Sequence, residues 1–135
     1  MGTRIVFLDS SVLVAILSRE RDAPLWSQLL AEANGILTSP LVVLETAMRL
    51  STKLDIHPGL ALDAVTAALK EAEVTVAPII EADAAAAIDA FARYGKGRGH
   101  PAQLNMADCM AYACARNRGL KLLYKGNDFA ATDLA

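Results

Sequence analysis

Residues 4–13 read RIVFLDSSVL, and this stretch decides which kind of fold to expect. The run from Ile5 to Leu8 is apolar and rich in β-branched and aromatic residues, which is typical of a buried strand. Asp9 follows directly, and Ser10 or Ser11 can cap the apolar helix that comes next. Ligands of open α/β sheets bind at the carboxyl ends of strands, so Asp9 is a candidate functional residue.

The composition favours one small domain, residues 1–135, with a substantial core. The chain is 54% hydrophobic but only 5% aromatic, which suits alanine- and leucine-rich helices on a small sheet. A formal charge of -2 argues against binding nucleic acid by bulk charge alone.

Cys109 and Cys114 fit neither a disulfide framework nor a zinc site, so we expect core thiols of a reduced, cytoplasmic protein. No stretch approaches the roughly 20 apolar residues that a membrane span needs.

Apolar periodicity and turn signals predict strands that alternate with helices along the chain. The pattern predicts strands at 4–8, 36–38, 74–76 and 120–124, and helices at 11–18, 20–33, 39–53, 57–72, 81–94 and 105–118. Such alternation favours an α/β fold with three layers, in which helices flank a central parallel sheet of four to five strands.

Two acidic residues, Asp9 and Asp128, follow apolar strands and are expected at the same edge of a parallel sheet. Asp108 begins the last helix and can reach that edge if the preceding loop folds back. Each has a simpler explanation, since an acid in a first helical turn is favourable anyway and a turn aspartate can cap its own backbone. Asn127, beside Asp128, could supply a neutral oxygen to the same place.

Glu45 is a fourth candidate acid, and its helix allows two interpretations. Leu41 and Met48 share its face, which points the carboxylate into an apolar stripe. Alternatively, Glu45 and Arg49 form a surface pair at i, i+4.

Several carboxylates in one cleft repel one another, and a hard divalent cation removes that cost. Oxygen ligands without clustered histidine or cysteine indicate Mg²⁺ or Mn²⁺ rather than Zn²⁺. Such a metal engages phosphate and can activate a water molecule. The acids therefore predict phosphodiester hydrolysis.

A glycine-rich basic loop, YGKGRGHP at 94–101, precedes the helix that carries Asp108. Lys96, Arg98 and His100 on this loop could contact a phosphate backbone beside the acids. The alternative is an ordinary solvated loop. Further basic residues near the end of the chain could also meet phosphate: Arg116, Arg118, Lys121 and Lys125.

Three stretches together resemble one family, the PIN-domain ribonucleases, and within it the VapC toxins of bacterial toxin–antitoxin pairs. They are FLDSSVLVAIL at 7–17, SPLVVLETAMRL at 39–50, and the block at 94–134 that contains LNMADCMAYA and LLYKGNDFAATD. The likeness extends over essentially the whole chain and implies a PIN-like three-layer fold.

The resemblance implies a set of acidic site residues. Asp9 and Asp108, the latter in ADC where relatives show a GDC-like motif, match the principal metal ligands. Glu45 matches the helix glutamate, and Ser11 matches a small hydroxyl residue that supports the first aspartate. Asp128 in GNDF matches the fourth acidic position.

That last match is the loosest, because relatives often carry two acids in this turn and the first is Asn127 here. Either Asn127 or Asp128 could face the metal.

The implied activity is endonucleolytic cleavage of RNA that depends on Mg²⁺, with Mn²⁺ as a substitute. The implied partners are a VapB-type antitoxin and a second copy of the chain in a homodimer. One alternative is a catalytically degenerate PIN-like module that binds RNA or protein. Another is a phosphatase of the haloacid-dehalogenase type, which is disfavoured because its second acid would stand where Ser11 does.

Overall fold

The computed structural model of the protein describes residues 4–135. Strands and helices follow one another in the order β1 Ile5–Leu8, α1 Ser10–Leu17, α2 Ala23–Glu32, β2 Gly35–Thr38, α3 Pro40–Leu54, α4 Pro58–Glu71, β3 Thr75–Val76, α5 Glu81–Tyr94, α6 Met106–Asn117 and β4 Lys121–Leu123.

The four strands form one parallel sheet in the order β3-β2-β1-β4. β1 is central and pairs with both β2 and β4, so the carboxyl ends of β1 and β4 lie side by side. The backbone N–H of Asp9 extends this pairing by donating to the carbonyl of Leu123 at 3.1 Å. The predicted parallel α/β sheet is therefore confirmed, with four strands among the described residues.

The core lies where β1 meets the helices. Phe7 and Leu8 are fully buried, and helical residues such as Leu50, Val65 and Leu69 belong to the same apolar cluster. Cys109 and Cys114 are both buried with unpaired thiols, as expected from their spacing. No helix within residues 4–135 is long and apolar enough to cross a membrane.

The expected start of α1 is wrong in one respect. Neither Ser10 nor Ser11 caps the helix, because Asp9 is itself the N-cap and its carboxylate accepts the N–H of Ser11. The helix therefore begins at Ser10, directly after the strand-end aspartate.

The expected start of α2 is also wrong. This helix begins at Ala23 rather than Glu20, after a turn in which Arg19 adopts a φ of 56°. Leu25, expected to face inward, is 54% exposed, while Leu30 is buried. The turn that precedes α2 carries two acids, Glu20 and Asp22, whose side chains contact a distant part of the chain.

Candidate active site

Asp9 lies at the junction of β1 and α1 and is 5% exposed. Its Oδ2 accepts two hydrogen bonds from Ser11, one from the backbone N–H at 3.1 Å and one from the hydroxyl at 2.6 Å. Ser11 Oγ in turn accepts the backbone N–H of Lys125 at 2.9 Å. The hydroxyl of Ser11 thus joins Asp9 to the loop that follows β4.

Glu45 lies half-buried on α3, and its environment differs from both interpretations drawn from the sequence. Ser10 Oγ donates to Glu45 Oε1 at 2.7 Å and accepts from Arg49 Nη1 at 3.3 Å. Ser10 therefore lies between the two residues expected to pair directly. Met48, expected to flank Glu45 in an apolar stripe, is 60% exposed.

Asp108 is held at the start of α6 by a reciprocal capping box with Asn105. Asp108 Oδ2 accepts the N–H of Asn105 at 3.1 Å, and Asn105 Oδ1 accepts the N–H of Asp108 at 2.8 Å. This box satisfies N-terminal donors of the helix and fixes the carboxylate against it. Asp108 is buried nonetheless, at 7% exposure.

Asn127 and Asp128 lie on the loop after β4, and both are exposed. The N–H of Ala130 donates to the carbonyl of Asn127 at 3.1 Å, which closes a turn around Asp128. Phe129, next in the chain, is fully buried and anchors this turn in the core.

The four carboxylates lie near enough for their charges to act on Asp108 and Glu45. Burial, together with the negative charges of Asp128, Asp9 and Glu45, raises the pKa of Asp108 to about 6. Burial also raises the pKa of Glu45, and the charges of Asp9 and Asp128 act in the same direction. Burial raises the pKa of Asp9, against the hydrogen bonds from Ser11. The structure therefore places Asp9, Glu45 and Asp128 on the side of the molecule where Asp108 lies, near enough for their charges to act on it.

Positive charge does not compensate this cluster directly. In the part of the chain that the structure describes, the side-chain ion pairs use other carboxylates: Glu20, Asp22, Asp83 and Asp133. Arg49 reaches the cluster only through Ser10, and its charge lowers the pKa of Asp9 and Glu45 less than burial raises it. Clustered, partly desolvated carboxylates without a cation are costly, which suits a divalent metal.

Three of the carboxylates each accept a hydrogen bond on one oxygen: Asp9 on Oδ2, Glu45 on Oε1 and Asp108 on Oδ2. No three acidic, histidine or cysteine side chains within residues 4–135 converge closely enough to form a ligand set. The remaining oxygens are the hard donors that Mg²⁺ and Mn²⁺ prefer, so the residues present fit such an ion.

The start of the basic loop is held to the segment that precedes α6. Lys96 N donates to the Leu104 carbonyl, and Leu104 N donates to the Tyr94 carbonyl. Lys96 and Arg98 are exposed, whereas His100 is half-buried, with Nδ1 accepting the N–H of Ala102 at 3.0 Å.

Three of the other basic residues expected near phosphate pair with carboxylates of the chain itself. Arg116 contacts Asp133, Arg118 contacts Asp83, and Lys125 contacts Glu20 and Asp22. Sequence reasoning missed these pairs because each joins residues far apart in the chain. It also missed the bridging role of Ser10, since nothing in the pattern distinguishes Ser10 from Ser11.

Comparisons with known proteins agree on one family. The PIN domain family model matches residues 6–134 of the chain. A VapC ribonuclease of Rhizobium meliloti is 44% identical over 143 residues, which cover 95% of this chain and 98% of that protein. Ribonuclease VapC28 of Mycobacterium tuberculosis is 40% identical over 127 residues, which cover 94% of this chain and 93% of that protein.

Solved structures share the fold at lower identity. The Mycobacterium tuberculosis toxin VapC20, described as cleaving the sarcin–ricin loop, matches with a TM-score of 0.78 at 20% identity and 96% coverage of both chains. A toxin–antitoxin complex from Klebsiella pneumoniae matches with a TM-score of 0.70 at 18% identity, covering 96% of this chain and 93% of that chain. Together with the close relatives, these likenesses lead to one conclusion: the chain belongs to the VapC ribonucleases of the PIN-domain family.

Proposed function

We propose that this VapC-family ribonuclease is a Mg²⁺-dependent endonuclease whose active site is the cluster of Asp9, Glu45, Asp108 and Asp128. The observation that carries the proposal is the grouping of these acids without a paired cation, in which the neighbouring negative charges raise the pKa of Asp108 and of Glu45. Repulsion among the grouped carboxylates destabilises the folded state, and a bound ligand of opposite charge removes this repulsion. A divalent cation is such a ligand.

Asp9 and Asp108 are the proposed principal ligands, because both are buried and fixed by the first turns of α1 and α6. A bound Mg²⁺, or Mn²⁺ in its place, would supply an activated water and stabilise charge on the scissile phosphate. Glu45 and Asp128 complete the negatively charged cluster, and Ser11 orients Asp9 through its two hydrogen bonds. Asn127 offers a neutral oxygen on the same turn as Asp128.

RNA recognition is assigned to the loop at 94–101. Lys96 and Arg98 present exposed charges at the base and the turn of this loop, where backbone phosphates can approach. His100 contributes mainly to loop shape, because its ring packs edge-on against Tyr94 at 4.8 Å. RNA that contains the sarcin–ricin loop is the first substrate to test, since the VapC20 neighbour is described as a toxin that cleaves this loop.

The proposed partners are a VapB-type antitoxin and a second copy of the chain. The antitoxin is supported by the Klebsiella neighbour, which is a toxin–antitoxin complex. A homodimer and a cytoplasmic location, where RNA is available, belong to the same proposal. The alternative of a degenerate binding module is favoured by one feature only, the neutral Asn127 in the fourth acidic turn.

Calorimetric titration with Mn²⁺ and Mg²⁺ tests the metal site directly. The wild type is expected to bind the ions. Asp9→Asn and Asp108→Asn are expected to lose at least roughly 10–100-fold in affinity, because that is the cost of removing an outer-shell partner and each variant removes a charged ligand itself. Asp89→Asn is the matched control, because Asp89 is exposed on α5. Equal affinity in Asp9→Asn and wild type would refute the ligand assignment, and absent binding in the wild type would favour the degenerate module.

A further inference from the structure

Lys125 connects the loop after β4 with the turn before α2. Its Nζ lies 2.5 Å from Glu20 Oε1 and 2.8 Å from Asp22 Oδ1. Lys125 follows β4, whereas both acids belong to the turn between α1 and α2, more than 100 residues earlier. We call these three side chains the Lys125 clasp.

The two acids of the Lys125 clasp have further partners. Glu20 Oε2 accepts from Lys53 Nζ at 2.5 Å, and Asp22 Oδ2 accepts from Trp26 Nε1 at 3.0 Å. Both oxygens of each carboxylate are therefore engaged. A network of this kind holds its geometry better than an isolated surface ion pair. The hydrogen bonds with Lys125 and then Lys53 lower the pKa of Glu20 to about 2, so the acid is charged at neutral pH.

The backbone of Lys125 is held at the active site as well. Its N–H donates to Ser11 Oγ at 2.9 Å, and the same hydroxyl donates to Asp9 Oδ2 at 2.6 Å. Gly126 follows with a φ of +97°, a conformation that favours glycine and turns the chain toward Asp128. The loop that carries the fourth acid thus begins at a residue fixed by both its side chain and its backbone.

We propose that the Lys125 clasp positions the Asp128 loop for catalysis, by holding it at a fixed distance and orientation relative to Asp9. This inference rests on the proposed function of the acidic cluster. Lys125 does not itself contact RNA, because two carboxylates of the chain already occupy its ammonium group. The residues that need this support, Gly126 to Asp128, are all exposed.

Lys125→Met tests the proposal, because methionine keeps the length of the aliphatic stem and removes the charge. Lys70→Met is the matched control, since Lys70 is exposed at the end of α4, away from the acids. We expect faster hydrogen exchange at residues 126–130 in Lys125→Met alone. For an RNA oligonucleotide we expect kcat to fall roughly tenfold, as misplacement of a reacting group does, while KM changes less than about twofold.

Rescue variants separate positioning from a general loss of stability. Lys125→Arg keeps the charge and is expected to recover most of kcat, and Glu20→Gln with Asp22→Asn should reproduce the defect. Thermal unfolding identifies any variant that fails to fold; if Lys125→Met does, the Glu20→Gln, Asp22→Asn variant carries the test. A raised KM with unchanged kcat would overturn the proposal in favour of direct RNA contact, and unchanged exchange and kcat would also overturn it.

The exchange measurement keeps this inference distinct from the proposed function. If the wild type cuts no RNA, the proposed nuclease site fails, while exchange at residues 126–130 still shows whether the Lys125 clasp holds the loop. If the wild type cuts RNA and Lys125→Met matches it in both hydrogen exchange and cleavage rate, the positioning role of the clasp is refuted while the proposed nuclease site is supported.

Discussion

At the scale of single residues, the position of Asp9 explains why a buried strand ends in a charge. Asp9 caps α1 through its own carboxylate, so the charge is favoured by the helix N-terminus. Its burial still raises its pKa, which shows that capping does not offset desolvation in full. The hydroxyl of Ser11 also stabilises the charged carboxylate and links Asp9 to the backbone of Lys125.

Ser11→Ala is predicted to weaken both stability and catalysis. The change removes the hydroxyl bonds to Asp9 and from the Lys125 backbone, so we expect a loss of about 1–2 kcal/mol in the free energy of unfolding. We expect kcat to fall roughly tenfold, because Asp9 and the Asp128 loop are no longer held in a fixed position relative to each other. Urea unfolding and RNA cleavage measure the two effects. Ser27→Ala on the exposed face of α2 is the control, and a Ser11→Ala protein indistinguishable from it would contradict this role.

Asp108→Asn is predicted to stabilise the metal-free protein at pH 7. Burial raises the pKa of Asp108 from 3.8 to about 6, so its contribution to stability is fully present below 3.8 and is lost as pH rises through 6. Asparagine keeps an oxygen for the capping box and removes the charge, for a gain of roughly 1–3 kcal/mol. Urea unfolding in EDTA at pH 7 and pH 5 checks this; the gain should be smaller at pH 5. A variant less stable than the wild type at pH 7 would show that the charge of Asp108 does not destabilise the folded protein.

At the scale of elements, the helix that presents Asp108 is secured at its far end. Arg118, just past α6, donates from Nη1 to Oδ1 of Asp83 at 2.9 Å and from Nη2 to Oδ2 at 3.0 Å. Asp83 lies in the first turn of α5 and is 1% exposed. Asn117 Nδ2 adds a third donor to Asp83 Oδ1 at 3.0 Å. This buried pair fixes α5 against α6 and so supports the placement of Asp108.

Asp83→Ala is predicted to cost about 3 kcal/mol in the free energy of unfolding, because it leaves the Arg118 guanidinium without its partner. The Arg118 hydrogen bonds hold the pKa of Asp83 well below its usual range, so this stability is present above pH 3.8 and is lost as pH falls further. Urea unfolding at pH 7 and pH 3 measures both effects. Asp89→Ala, exposed on the same helix, should change stability by less than about 0.5 kcal/mol. If Asp83→Ala lowers the free energy of unfolding by less than about 1 kcal/mol, the Asp83–Arg118 pair does not support the fold in the way described.

Local sequence signals predicted the elements better than they predicted the contacts between them. Apolar runs marked the strands, and Ser39 and Asn105 cap α3 and α6 where those helices were expected to begin. The N-cap of α1 was predicted wrongly because Asp9 and the two serines after it are all good caps. The expected meeting of Asp9 and Asp128 followed from parallel strands, whereas the contacts of Ser10 and the Lys125 clasp depend on partners that only the tertiary fold brings near. The roles of the acids as metal ligands stay predictions.

At the scale of the whole molecule, the sheet order places the acids from distant parts of the chain at one edge. β1 lies between β2 and β4, so Asp9 meets the loop after β4, while α3 and α6 bring Glu45 and Asp108. Folding therefore concentrates negative charge that the unfolded chain keeps apart. The proposed metal ion would therefore couple its binding to the stability of the whole fold.

Mg²⁺ is predicted to raise the stability of the folded protein. For a site of about 0.1–1 mM affinity, 10 mM Mg²⁺ adds roughly 1.4–2.7 kcal/mol to the free energy of unfolding. Thermal unfolding with Mg²⁺ or with EDTA measures the difference, which should vanish in an Asp9→Asn, Asp108→Asn double variant. An equal shift in the double variant would show that the ion acts elsewhere.

Cleavage of total RNA by the purified protein tests the central claim most directly. The reactions contain Mg²⁺, EDTA, or Mg²⁺ with Asp9→Asn, and sequencing maps the cut ends. The account predicts discrete cuts with Mg²⁺ that disappear in EDTA and fall at least about 100-fold in Asp9→Asn, because that variant lacks a charged ligand of the metal. Equal cutting by Asp9→Asn, or cutting that persists in EDTA, would contradict it.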